Sequence, residues 1–256
     1  MNFVFKETPK LFGILHITFL ILGIITSILL YLYIKNKNEN FLIKFIYILS
    51  MTMFVGEIWK QIFTYKYVFN NEYNMWFFPW QLCSMAMYCG IALPLIKKER
   101  QNILLVFLST YSLLAATVAL IGPLDMLRPQ ILLTFHGFIY HILMVYLAII
   151  SIVVLRKRNN IKFKPTFFLF LIMSLIAEII NIISHLIFND VHYESNMFYI
   201  SPFYPTTQPV FNTIADKCGI FIEVIIYLSL ISLMSYLLYK LFISDSHLKE
   251  WFSFLS

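Results

Sequence analysis

One thiol and two imidazoles stand out because each falls within an apolar run, where polar, ionisable side chains mark functional sites. Cys83 lies between Leu82 and Ser84, and His136 and His141 belong to a later run. A cysteine is a nucleophile only as its thiolate, and a neighbouring imidazole is the usual means of removing the proton. Lys60 or Lys217 nearby would favour the anion, and Glu57, Glu178 or Asp216 would orient the imidazole as a third member. Attack of such a thiolate on a lipid ester gives a thioester that a second lipid's hydroxyl opens. That chemistry is acyl transfer, with Gln81, Ser84 and Asn181 as candidate donors to the oxyanion.

A metal site is the competing constellation. His136, His141, His185, Glu178 and Asp216 are residue types that zinc accepts, and a metal-dependent lipid hydrolase would use them. Five residues on a helix splay His136 and His141 by about 140°, unlike the one-turn pair of His-Glu-x-x-His, and no His-x-x-x-His occurs. No metal and no other cofactor is therefore assigned. Blander readings stand beside these. A free cysteine often behaves as a small hydrophobe, the expectation for Cys89 and Cys218. His16 reads as a packing histidine, Glu57 with Lys60 as an intrahelical ion pair, and Asp216 with Lys217 as a helix start. Glu223, with Glu178, would otherwise belong to a proton or ion path.

The elements that must position these groups follow from composition. Of 256 residues, 60% are apolar and only 12% charged, with a mean hydropathy of +0.79. Soluble domains carry about twice that share of charge, and disordered chains are poor in apolar residues. The fold class is all-α: a polytopic membrane protein, one transmembrane domain over residues 1–256. About 20 apolar residues cross the hydrocarbon as helix. Seven runs qualify, near Phe12–Ile34, Phe41–Tyr65, Phe77–Ile96, Ile103–Ile121, Ile131–Leu155, Thr166–Phe188 and Thr213–Ile243.

Basic residues in short loops set the orientation. Lys35, Lys37, Lys97, Lys98, Arg100, Arg156, Lys157, Arg158, Lys162 and Lys164 fall on one side; Lys6, Lys10, Lys66 and Arg128 fall on the other. The richer side is cytoplasmic, so the amino end faces out and the carboxyl end faces in. The basic balance reflects topology and headgroup contact, and no nucleic-acid partner is expected. Localisation is the cell membrane, and the partners are membrane phospholipids.

On that topology, Glu57, Lys60 and Gln61 share one face near the outer end of the second run. Gln81, Cys83 and Ser84 open the third, His136 and His141 the fifth, and Asp216 the seventh. Glu178, Asn181 and His185 form one stripe on the sixth. The costly residues thus gather in the outer halves of the helices, which predicts a polar pocket open to the outer leaflet. The Asn189–Asn212 stretch, with Pro202, Pro205 and Pro209, reads as a lid or interfacial loop. Trp76, Trp80, Tyr73, Tyr199 and Tyr204 read as an aromatic belt. A transporter or small-ligand receptor would use the same pocket, although inverted repeats are not evident.

Short motifs carry a family resemblance over most of the chain. Phe78-Pro79-Trp80-Gln81-Leu82-Cys83-Ser84, Phe135-His136-Gly137, Asn181, Asn196-Met197-Phe198-Tyr199 and Asp216 with a preceding proline resemble the YwaF-type bacterial integral membrane proteins. These are similar to the transmembrane protein 164 acyltransferases, which make polyunsaturated ether phospholipids through a cysteine–histidine pair. The resemblance implies Cys83 as nucleophile and His136 as base, with His141 as the alternative base.

Overall fold

The structure, a computed structural model, describes residues 4–188 and 195–244. Its regular elements are helical, and Val4 and Gln130 add an isolated antiparallel bridge at one end of the bundle. Six helices are long and apolar enough to cross a membrane. Helix α1 is Ile14–Ile34. Helix α2 is Glu39–Phe63, which runs on through a π turn at Thr64–Val68. The third crossing joins α4 (Lys98–Phe107) through a π turn to α5 (Leu113–Ile121). Helices α6 (Ile131–Leu155) and α7 (Lys164–Phe188) follow. Helix α9 (Ile220–Tyr239) extends to Ser244. Their outward faces are unbroken aliphatic surface, such as Ile21, Ile24, Ile28 and Leu32 on α1. In water that surface would be untenable, and against lipid it is ordinary. The chain is a multi-pass membrane protein.

Helix α6 is the hub, flanked by α1, α2, α4 and α5. Its far half is buried, with Leu147, Ile150, Val154 and Leu155 inside. At that end the basic loops are tied together. The Arg158 guanidinium donates to Glu39 Oε1 at 2.7 Å, Gln101 Oε1 at 2.7 Å and Asn102 Oδ1 at 2.8 Å. Lys98 pairs with Glu39 at 3.0 Å, and Lys157 donates to the Lys37 carbonyl at 2.6 Å. The three loops assigned to one side by charge therefore do share one end.

Two of the seven expected helices are not single helices. The Phe77–Ile96 run is broken into a 3-10 turn at Met75–Phe77, another at Leu82–Ser84, the two-turn α3 (Met85–Ala92) and a further 3-10 turn at Leu93–Leu95. Pro79 and Pro94 interrupt it, as prolines without an N–H must. It still runs between the two ends of α2: the Phe77 carbonyl accepts from Gln61 at 2.6 Å, while Lys98 reaches Glu39. The Thr213–Ile243 run is also broken. Helix α8 (Pro209–Cys218) and α9 meet at Gly219, whose φ of +87° favours glycine. The Phe211 and Tyr227 rings lie 5.0 Å apart. A continuous helix would separate them by about 24 Å, so α8 folds back along α9.

Close backbone approach fastens the broken segment to α2. A Cβ on Gly90 would stand 1.8 Å from Ser50 Oγ and 2.8 Å from Ser50 Cβ. Only glycine permits α3 to sit there, the small-residue packing that membrane helices use. Gly90→Ala is expected to destabilise the fold by about 1–3 kcal/mol, the usual cost of overpacking. A thermal melt in detergent should show the loss, and adding Ser50→Gly should restore most of it.

Candidate functional site

The polar centre begins on α2, away from the basic loops. Glu57 is 4% exposed yet charged, so it must be paired. Lys60 Nζ meets its Oε1 at 2.7 Å, one turn on, and Gln61 Nε2 donates to the same oxygen at 2.7 Å. Gln61 Nε2 also donates to the Phe77 carbonyl, while Gln61 Oε1 accepts from Tyr73 at 2.9 Å. Burial, followed by the charge of Glu57, pushes the Tyr73 phenol up to about 12, so it stays a protonated donor. The ion pair expected within α2 is therefore present, and it is wired to the loop that leads into the broken segment.

Around Lys60 the predicted chemical groups assemble. Its ammonium lies within electrostatic reach of Cys83, His136 and His141 together. Cys83 is half-buried in the 3-10 turn before α3, and Tyr140, Tyr199 and Tyr227 stand within its reach. His136 packs between Trp59 (ring centroids 5.6 Å apart) and Tyr140 (5.7 Å). Its Nε2 is buried against the Gly56 backbone without a well-aligned hydrogen bond. His141 is held differently, with Nδ1 2.7 Å from the Gly137 carbonyl one turn earlier. That contact makes Nδ1 the protonated nitrogen and leaves Nε2 as the basic one.

Several other candidates turn out to hold the chain in place. Asn181 is fully buried; its Oδ1 accepts from Met197 N at 2.6 Å and Ser195 Oγ at 3.2 Å, and its Nδ2 donates to the Met197 carbonyl at 3.2 Å. Gln81 Oε1 accepts from Phe198 N at 3.1 Å, and its Nε2 donates to the Asn196 carbonyl at 3.4 Å. Asn196 in turn accepts from Ser201 N and donates to the Tyr204 and Pro205 carbonyls. Three amide side chains thus pin residues 195–205, whose Phe198 and Tyr199 take positive φ. Phe198 is 1% exposed and packs toward Phe170 in the second turn of α7, at a ring distance of 6.3 Å. The segment is an insert into the bundle. Its expected beginning, residues 189–194, lies outside the described residues.

The aromatic residues expected to form a belt divide between the bundle and its rim. Trp80 donates to the Met173 carbonyl inside the bundle, and Tyr199 donates to Asp125 Oδ2 at 2.8 Å while packing on Trp76. Trp80 belongs to the interior wall, while the Tyr199 hydroxyl stays at the exposed rim. His185 stacks on Phe203 (3.7 Å) and contacts the Tyr204 hydroxyl, so it serves the insert. Asp216 and Lys217 are exposed at the turn of α8. Glu178 is half-buried beside Asn181, and Glu223 is buried next to Tyr227 on α9. His16 is a packing histidine: Nδ1 accepts from Phe12 N and Nε2 donates to the Leu120 carbonyl. Cys89 is buried and Cys218 exposed. Among the described residues no three His, Cys, Asp or Glu side chains converge as a metal-ligand set.

Tyr140 and Asp125 were missed by reading the sequence. Tyrosine in an apolar helix is too common to attract notice, and only the fold shows that Tyr140 packs on His136 within electrostatic reach of Cys83. Asp125 lies in a Gly-Pro loop that reads as a simple turn.

Comparison with known proteins agrees with this architecture. A model of the TMEM164 family matches residues 11–242, and the chain belongs to that family. No curated protein and no solved structure matches it.

The insert is tied to Gln81, two residues before the thiol, so loosening it should expose Cys83. In an Asn181→Ala variant the buried Met197 N–H loses its acceptor, a loss of about 1–3 kcal/mol. Maleimide labelling of Cys83, followed in a Cys218→Ser background, is expected to accelerate over the parent protein.

Proposed function

We propose that the protein is a thiol-dependent acyltransferase acting on membrane phospholipid acyl chains. The observation that carries this reading is the gathering of Cys83, His136 and His141 around the Lys60 ammonium, in a member of the TMEM164 family. In this reading Cys83 is the nucleophile and His136 the base, with His141 as the alternative. The Cys83 proton passes to the imidazole. Sulfur then bonds the ester carbonyl carbon, and the departing lysophospholipid oxygen takes the proton back. The hydroxyl of a second lysophospholipid opens the thioester by the same steps in reverse. Lys60 stabilises the thiolate, and Glu57 holds Lys60 in place. Gln81 and Asn181 act by positioning the insert over the site.

The finer topology belongs to the same proposal: the chain crosses the cell membrane seven times, the broken segment included, with the amino end outside. The shared end of the basic loops supports that orientation. The pocket then opens to the outer leaflet, and the protein sits in the YwaF-type branch of the family.

A second reading is a transporter or small-ligand receptor, favoured by the broken third segment and the inserted 195–208 stretch, both of which resemble transporter construction. Cys83→Ala separates the two. It is expected to lower transfer of a labelled acyl chain, from a diacylphospholipid to a lysophospholipid in detergent micelles, by on the order of a thousand-fold or more. Undiminished transfer by Cys83→Ala would overturn the enzymatic reading. Ligand flux that survives Cys83→Ala and fails in Glu57→Gln would support the second.

A further inference from the structure

An ester carbonyl attacked by Cys83 becomes an oxyanion, and a buried site must supply it with hydrogen-bond donors. The side chains nearest the thiol differ in whether they are free to serve. Gln81 and Asn181 have spent their amides on the insert. Tyr199 donates to Asp125, and Tyr88 donates to the Pro79 carbonyl at 3.0 Å. Tyr140 is the exception among these. It is 7% exposed, within reach of Cys83, and its hydroxyl lies beside Ser84 without a well-aligned hydrogen bond. A buried hydroxyl with no acceptor is costly unless something completes it during function.

We infer that the Tyr140 hydroxyl is the oxyanion donor of the Cys83 acyl-transfer site, an assignment that rests on the proposed acyltransferase reading. The ring is fixed for this task. It packs 5.7 Å from the His136 ring and 5.9 Å from the His141 ring, on the helix that carries both. Ser84 follows the nucleophile in the chain and lies beside the Tyr140 phenol. When sulfur adds to the carbonyl carbon, the C=O π pair moves to oxygen, and Tyr140 donates a hydrogen bond to it without losing its proton. Collapse returns that pair to the carbonyl and expels the lysophospholipid oxygen, which takes its proton from His136. The substrate class is therefore a carbonyl ester that forms a tetrahedral adduct, and an alkylating agent needs no such donor.

That difference supplies the test. Tyr140→Phe keeps the ring and removes the hydroxyl. Its acyl transfer from a fluorescent diacylphospholipid is expected to fall roughly a hundred- to a thousand-fold, while iodoacetamide alkylates Cys83 at the parental rate. Transfer within about three-fold of the parent, or alkylation that slows in step with transfer, overturns the assignment. If Cys83→Ala abolishes transfer and Tyr140→Phe preserves it, the nucleophile stands and the donor assignment fails. If Cys83→Ala leaves transfer intact, the underlying reading fails instead. Fluorotyrosine placed at 140 keeps the packing and strengthens the donor. It should change the transfer rate and leave alkylation unaltered, and an unchanged transfer rate again overturns the assignment.

Discussion

A buried ion pair between Glu57 and Lys60 is the contact around which the site is organised. At 2.7 Å, with the carboxylate almost wholly removed from solvent, neither charge is tolerable without the other. Deleting one partner of such a pair strands the other, at a cost of about 3–5 kcal/mol. Gln61 and Tyr73 extend the pair into a chain of hydrogen bonds ending at the Phe77 carbonyl. The start of the broken segment is thus referenced to α2, and with it the position of Cys83. Gly90 against Ser50 completes the registration two turns further on. Polar wiring sets the height of the thiol and small-residue packing sets its distance.

The second constraint is irregular backbone inside an apolar bundle. Such backbone survives only where protein satisfies its N–H and C=O groups. Residues 195–205 meet that requirement through Asn181, Gln81 and Asn196, which face them from α7, the broken segment and the insert itself. Gly219 then turns the chain so that α8 lies along α9 and brings Phe211 to Tyr227. The tyrosines within electrostatic reach of Cys83 are Tyr199 from the insert, Tyr227 from α9 and Tyr140 from α6. A polar pocket in this protein is as much a product of loop insertion as of helix packing.

Much of this was legible from residue type and spacing. Apolar length located the crossings, and the basic loops share an end because charge and topology are coupled. Glu57, Lys60 and Gln61 were readable as one face, and counting turns put Cys83 and His136 near the same helix ends, where both come within electrostatic reach of Lys60. Two of the seven expected helices are interrupted where hydropathy is blind. It counts apolar residues and does not register that Pro79, Pro94 and Gly219 interrupt the backbone. Asn181 and Gln81 read as chemistry because an amide in an apolar run looks functional. Their partners are backbone groups 16 and 117 residues away, and no periodicity announces them. Tyr140 was hidden for the opposite reason, since an aromatic in a membrane helix is unremarkable until its neighbours are known.

In the proposed mechanism the Cys83 sulfur carries an acyl group in transit between lipids. The direct measurement is mass spectrometry of the purified protein after incubation with a diacylphospholipid and no acceptor, with neutral hydroxylamine as a control. The account predicts an acyl adduct on the peptide containing Cys83, removed by hydroxylamine and discharged when a lysophospholipid is added. Turnover of the same lipid by a protein whose Cys83 peptide never gains the acyl mass would contradict it.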